Sequence, residues 1–403
     1  MPANRCLHAA PATLVSLAVV LALAVAGLLV ALSGAKAASN QLSCGDTITT
    51  DTTLHHNLVN CPNNGIIIGA DDVTLDLNYH TVHGDWTPAA GCDPDTEFCD
   101  VGVINDGHDG VAVVHGSTRQ FDVGIFVGRA IHDRLLGISS SRNGGIGIVL
   151  FDVARSVVRN SSGNGSIAHD TGAGLGLFSS HHVRVLHSSF RHNGDMGIAV
   201  DSASHNLIKG NLLARNRNFG IVVRGRAADR NQVRRNRAVR DGKIGVFIEG
   251  SRNVIARNRI THPFRGEATG IEVDGGNHNV IARNSIRDTE GRGISVDFSR
   301  DPEQSGGPPV VGNVVRRNHI RRAGKDGVHV NFGAKHTRLK GNHAFAANDD
   351  GLDTNNSTTK LTRNEARHNG DLGIEAVRSV IDGGGNKASG NGDPRQCTHI
   401  VCR

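Results

Sequence analysis

Aromatic side chains are scarce, at 3% of the 403 residues, and beyond Met1 there is one methionine, Met196. A compact domain of this length would need large side chains to fill a single core. A chain with few rings and 51 glycines suits a turn-rich repeat protein instead. The poverty in methionine excludes a thioether copper site, and the lack of any C-x-x-C motif argues against zinc. Apolar residues at helical spacing are missing as well, which removes helical repeats from consideration. Only one long hydrophobic run exists, and it lies at the very start.

That run extends from about Leu14 to Leu32, follows Arg5, and ends before Ala35-Lys36-Ala37. A charged start, an apolar stretch and an A-x-A site describe a secretory signal, so residues 1–37 are expected to be cleaved near Ala37. An uncleaved membrane anchor is the competing reading, because the run approaches the length of a spanning helix. Six cysteines remain after cleavage, and they fall into close pairs: Cys44 with Cys61, Cys92 with Cys99, and Cys397 with Cys402. An even count in an exported chain implies three local disulfides. The net charge of +6 would suit a polyanion, but nucleic acid is not expected for an exported, disulfide-bonded protein.

What the sequence has in abundance is one restated phrase. It is plainest in Asn253-Val-Ile-Ala-Arg-Asn258 and Asn279-Val-Ile-Ala-Arg-Asn284, and it recurs with closing residues Asn211, Asn236, Asn318, Asn342, Asn364 and Asn386. A period in the low twenties defines a solenoid. Each repeat holds a second phrase, as in Gly197-Ile-Ala-Val-Asp201 and Gly270-Ile-Glu-Val-Asp274, and a third aliphatic position such as Leu213 or Ile260. The short alternations are strands. Three strands per turn give an all-β, right-handed, single-stranded parallel β-helix with about 12 turns and three parallel sheets. Stacked asparagines would hydrogen bond in register at a corner, and glycines would allow corners with positive φ. The expected organisation is an N-terminal cap over 38–62, the helix over 63–390 with loop insertions at 85–105 and 299–312, and a C-terminal cap over 391–403. Such a chain is expected to be a monomer with no membrane contact after cleavage.

In Gly-Ile-x-Val-x the aliphatics point inward, so the residues two and four after the glycine stack outward in columns. The columns bring together Glu272, Asp274 and Asp297 with His329 and Asp353. Rungs about 4.8 Å apart would make neighbouring carboxylates repel by about 1 to 3.5 kcal/mol. A neighbouring arginine, a bound cation such as Ca²⁺, or a protonated acid would have to offset this. The last option supplies a general acid beside a base, at separations that suit glycosidic bonds. These five residues are the candidate catalytic set, and a solvated acidic sheet face is the plain alternative. A basic stripe, Arg159, Arg235, Arg257, Arg283, Arg317 and Arg363, precedes the asparagines. It would grip an acidic glycan or simply keep a long surface soluble. The pairs His55-His56 and His181-His182 lack partners at metal-ligand spacing.

The Asn-x-Ile-x-x-Asn repeats resemble the right-handed parallel β-helix superfamily of carbohydrate-binding and sugar-hydrolysing proteins, which includes pectate lyases, polygalacturonases, alginate epimerases and NosD-like periplasmic proteins. The resemblance covers roughly residues 63–390 and implies a secreted polysaccharide-binding protein, with lyase, hydrolase or uronate epimerase activity along one sheet face. A non-catalytic adhesion or structural module is the alternative the same fold allows. Asn348-Asp-Asp-Gly-Leu-Asp353 is similar to the N-T-D-G-x-D signature of polygalacturonases, which would give acid catalysis to Asp350 and a neighbouring role to Asp353. The next turn, His368-Asn-Gly-Asp-Leu-Gly373, lacks the paired aspartate of that family, and the D-P-H-D motif of the epimerases is absent.

Overall fold

The computed structural model describes residues 41–403 except 88–91, 93–98, 170 and 298–309. The expected signal at 1–37 lies outside the described residues, as do much of the 85–105 insertion and most of the 299–312 one.

Every element among the described residues is a strand, and every strand pairing is parallel. One turn runs Met196–Asp201, Leu207–Lys209, Leu212–Ala214, and the next repeats it as Phe219–Arg224, Gln232–Arg234, Arg237–Val239. The first strand of each turn joins a sheet of fourteen strands. That is two more rungs than the dozen expected, and one of them, Asp46–Ile48, lies inside the segment read as a cap. The second and third strands build two further sheets. These are joined at the corner by Ala112–Arg119 and Arg134–Ser141, which run through it.

The lumen is filled by one aliphatic from each short strand and two from each long one. In the turn above these are Ile198, Val200, Ile208 and Leu213, all 0% exposed. Burying each stabilises by about 1.5–3 kcal/mol relative to exposure, and the sum accumulates rung by rung because each turn packs only on its neighbours.

The asparagines work from inside the wall. Asn236 Oδ1 accepts from the Asn211 backbone N–H at 2.9 Å and from Asn211 Nδ2 at 3.1 Å. Its own Nδ2 donates to the Ile208 carbonyl at 2.9 Å and to Asn258 Oδ1 at 3.1 Å. The same pattern continues through Asn284, Asn318, Asn342 and Asn364 to Asn386. A parallel ladder links Asn206, Asn231, Asn253, Asn279 and Asn313. Each amide thus pays the hydrogen-bonding debt of backbone groups buried where the chain turns.

The positive φ expected of glycines is found at corners such as Gly210, Gly312 and Gly341, whereas the glycines of the Gly-Ile-x-Val phrase do not have it. They are needed because a Cβ at Gly197 would lie 2.6 Å from the Gly220 carbonyl oxygen, with the same clash in neighbouring rungs. Arginine and histidine share the left-handed corners with the corner glycines, as at Arg235 (φ 55°) and Arg257 (φ 58°). The three disulfides join the cysteines paired by proximity, with Cα–Cα distances of 5.3, 5.5 and 6.3 Å. Cys44–Cys61 closes the first rung, and Cys397–Cys402 lies against Ile374 and Asn386 of the last ones.

Candidate active site

The first sheet has a second face, turned away from the lumen. Three columns of side chains run along it. The residue two after each glycine gives Phe126, Val149, Gly176, Ala199, Val222, Phe247, Glu272, Ser295, His329, Asp353 and Glu375 in consecutive register. The residue four after gives Asp201, Arg224 and then Asp274 and Asp297. The residue before the glycine also lies on this face, giving Met196, Phe219, Ile244, Thr269, Arg292, Asp326 and Asp350.

The face changes character along its length. Val123, Val149, Met196, Ala199 and Val222 form a buried apolar cluster with Phe126, Phe178, Phe219 and Phe247 packed on it, separate from the lumen core. From Thr269 onward the same columns become polar. A cleft of ≈ 520 Å³ opens there, with Arg292, Asp326, His329, Asp350, Asp353 and Glu375 among its lining residues.

His329 is the centre of the cleft. Its Nδ1 lies 2.7 Å from Asp353 Oδ2 and 3.6 Å from Asp326 Oδ2, and the imidazole is 7% exposed. Asn355 Nδ2 donates to the same Asp353 oxygen at 3.1 Å. Donation from Nδ1–H to Asp353 fixes the ring and leaves the Nε2 lone pair as a base. Arg292 bridges the two parts of the site, reaching Asp326 at 3.3 Å and Asp297 at 3.9 Å.

Burial raises several acids here. Burial, reinforced by a hydrogen bond with Glu375 and the charges of Glu375 and Asp349, pushes the Asp350 carboxyl up to about 8. Burial and the carboxylates of Asp274 and Asp297 push Glu272 up to about 7. Asp326 is raised by burial and by Asp353, against the pull of His329 and Arg292. Two polar atoms on this face, Ser295 Oγ and Asp353 Oδ1, are buried with no hydrogen-bond partner among the described residues. Such atoms are acceptors or donors that a bound hydroxyl would satisfy.

The structure brings all five sequence-derived candidates onto four consecutive rungs. They fall into two groups: Glu272, Asp274 and Asp297 on one side, His329 and Asp353 on the other, with Ser295 between. Arg292, Asp326 and the central position of Asp350 were not anticipated. Strict alternation places the residue before the glycine inside, and the bend at that glycine turns it outward. Two groups could receive a cation: Asp326, His329 and Asp353, or Asp326, Asp349 and Asp350, each offering three ligand atoms within 4.8 Å of one another. Ca²⁺ takes six to eight oxygens, so water or substrate would have to complete either shell.

Comparison with known proteins accords with this architecture. The family model described as periplasmic copper-binding protein (NosD) matches residues 124–290, and that of the right handed beta helix region matches 245–397. The fold is the right-handed parallel β-helix that the second of these models describes. A tailspike double mutant of E. coli bacteriophage HK620, solved with a pentasaccharide, shares 12% identity over 90% of this chain and 74% of its own, with a TM-score of 0.58. A second HK620 tailspike mutant, with a hexasaccharide, shares 11% over 88% and 72%, with a TM-score of 0.55. The A-module of the Azotobacter vinelandii mannuronan C-5 epimerase AlgE6 shares 14% over 84% and 80%, with a TM-score of 0.42. Comparison with curated protein sequences finds no match. The one described methionine, Met196, is buried in the apolar half of the face and distant in rungs from His329.

Proposed function

We propose that this is an exported polysaccharide-binding β-helix whose first-sheet face, from Thr269 to Glu375, performs acid–base chemistry on a glycan. The observation that carries the reading is the His329–Asp353 pair at 2.7 Å in a cleft that also holds Asp350 with its carboxyl raised to about 8. A base oriented by a carboxylate, and an acid still protonated at neutral pH, are the two groups that glycan hydrolysis, elimination and C5 epimerisation all require. Arg292 lies beside them, 3.3 Å from Asp326 and 3.9 Å from Asp297. The tailspikes of like fold were solved with oligosaccharides, which supports a glycan as the occupant of such a face.

The test is a panel of neutral and acidic glycans, scored for new reducing ends, for absorbance of unsaturated products and for inversion at C5 by NMR. Turnover by the wild type with about 10³-fold loss in Asp353→Asn, whose ring partner can no longer take charge, is the expected result. Binding without turnover anywhere on the panel would leave a non-catalytic adhesion module. Activity lost to EDTA and restored by Ca²⁺ would transfer the carboxylates from proton transfer to cation binding. Export is checked by N-terminal sequencing of the secreted protein, expected to begin after Ala37.

A further inference from the structure

The corner between the second and third sheets carries a column of arginines that the fold does not need. Successive turns place Gly210, Arg235, Arg257, Arg283, Arg317, Gly341 and Arg363 at the same corner, each backbone N–H donating to the residue before the next one or its neighbour in register. All of them have positive φ, from 52° at Arg363 to 71° at Gly210. Glycine adopts this conformation freely and arginine does not. Gly210 and Gly341 show that the corner accepts glycine, so five arginines are kept there against the local preference of the backbone. They are exposed, and among the described residues none lies within ion-pair distance of a carboxylate.

The column is flanked by concave surfaces of the same sign. On the second sheet, a groove of ≈ 420 Å³ has an apolar floor and walls that include Lys209, Arg234 and Arg316. On the third sheet, a groove of ≈ 520 Å³ is bordered by Arg215, Arg237 and Arg259. The arcs that build these sheets, 230–240, 252–265, 278–289, 313–323 and 335–345, contain eighteen lysines and arginines and a single acid, Asp288, which pairs with Arg322. Stacking like charges at rung spacing opposes folding. A solubilising surface would intersperse both signs.

We infer that this arginine ridge is a binding site for a linear anionic polysaccharide, carboxylated or sulfated, lying along the solenoid axis. The forked guanidinium matches carboxylate and sulfate oxygens, and the four consecutive rungs from Arg235 to Arg317 present one fork after another to an extended chain. The site is separate from the acidic cleft and does not depend on its chemistry. Its apolar-floored grooves suit the sugar rings between the charges.

The experiment is calorimetric titration of the secreted protein with polygalacturonate, dextran sulfate and uncharged dextran at low and high NaCl. The triple variant Arg235→Gln, Arg257→Gln, Arg283→Gln is expected to bind both polyanions about tenfold more weakly, with a shallower salt dependence. The corresponding triple Lys variant should recover most of the affinity, and Arg395→Gln, which removes an exposed arginine paired with Asp393 outside both sites, should bind as wild type does. Unchanged affinity in the triple Gln variant, or an equal loss in Arg395→Gln, would overturn the ridge as the place of binding. Tighter capture of duplex DNA or of anionic lipid vesicles than of either polysaccharide would overturn the glycan assignment.

Discussion

The outer face of the first sheet is one backbone with two chemistries. Up to Phe247 its columns carry Val149, Ala199 and Val222, buried under phenylalanines; from Thr269 the same positions carry Glu272, His329 and Asp353. The parallel pairing runs on across the boundary while the strands shorten, from six residues at Met196–Asp201 to three at Val328–Val330 and Leu352–Thr354. The difference teaches that the pairing accepts either chemistry on this face. The apolar half therefore reads as a packed surface, and the acidic half, where buried like charges oppose stability, as a surface kept for another purpose.

Four substitutions break or sharpen that contrast. The largest effect is expected from Asp350→Asn, which removes the protonated acid: turnover falls by about 10²- to 10³-fold. In the wild type, turnover declines as pH rises through about 8 and the Asp350 proton is lost; this alkaline limb should vanish from the residual rate of the variant. Next, Val222→Asp places an unpaired carboxylate in the apolar half, where Val222 is 2% exposed. A loss of about 3 kcal/mol is expected in denaturant unfolding, with the His329 cleft unaffected.

The third concerns Asp241, at the level where the face changes. It sits 1% exposed at the end of a ladder from Asn193 and Asn216, accepting from Asn216 through Oδ1 while Oδ2 has no partner among the described residues. Burial pushes it up to about 7. Because this folded-state value lies above the unfolded one, the carboxyl costs nothing at pH 3, and the penalty grows between about pH 4 and 7 and stays constant above. Asp241→Asn should therefore stabilise by about 2 kcal/mol at pH 8 and hardly at all at pH 4. Last, Glu272→Gln relieves the raised carboxyl beside Asp274 and Asp297. A small rise in Tm is expected at pH 8 and none at pH 4, and a rise that persisted at pH 4 would show that its charge is not what strains the face.

The solenoid was legible because a buried amide at a corner has few substitutes, so Asn-x-Ile-x-x-Asn survives in the sequence where it is used. Upstream the phrase fades for a physical reason: Ser156, Ser161, Ser180 and Ser188 fill the ladder positions there, their hydroxyls accepting from Asp133, Ile138, Val153 and Ser161 backbone N–H groups. Serine is too common to announce a corner. The two outward columns were legible from alternation, which gathered Glu272, Asp274, Asp297, His329 and Asp353. Alternation fails at the glycine itself, where Gly293 and Gly327 turn the chain, and so the third column with Arg292 and Asp326 was hidden. Asp350 was visible only through a family signature it half matches.

The ladders also decide how the molecule comes apart. An asparagine such as Asn284 is satisfied by the rungs on both sides of it, so an interior turn cannot open without orphaning groups in two others, whereas a terminal turn orphans groups in one. Opening must therefore advance as a zipper from the ends, and both ends are riveted, by Cys44–Cys61 and by Cys397–Cys402. The lifetime of the folded chain is then set by the rate at which its ends fray, and a reductant would act on it as a change of clock rather than a change of structure.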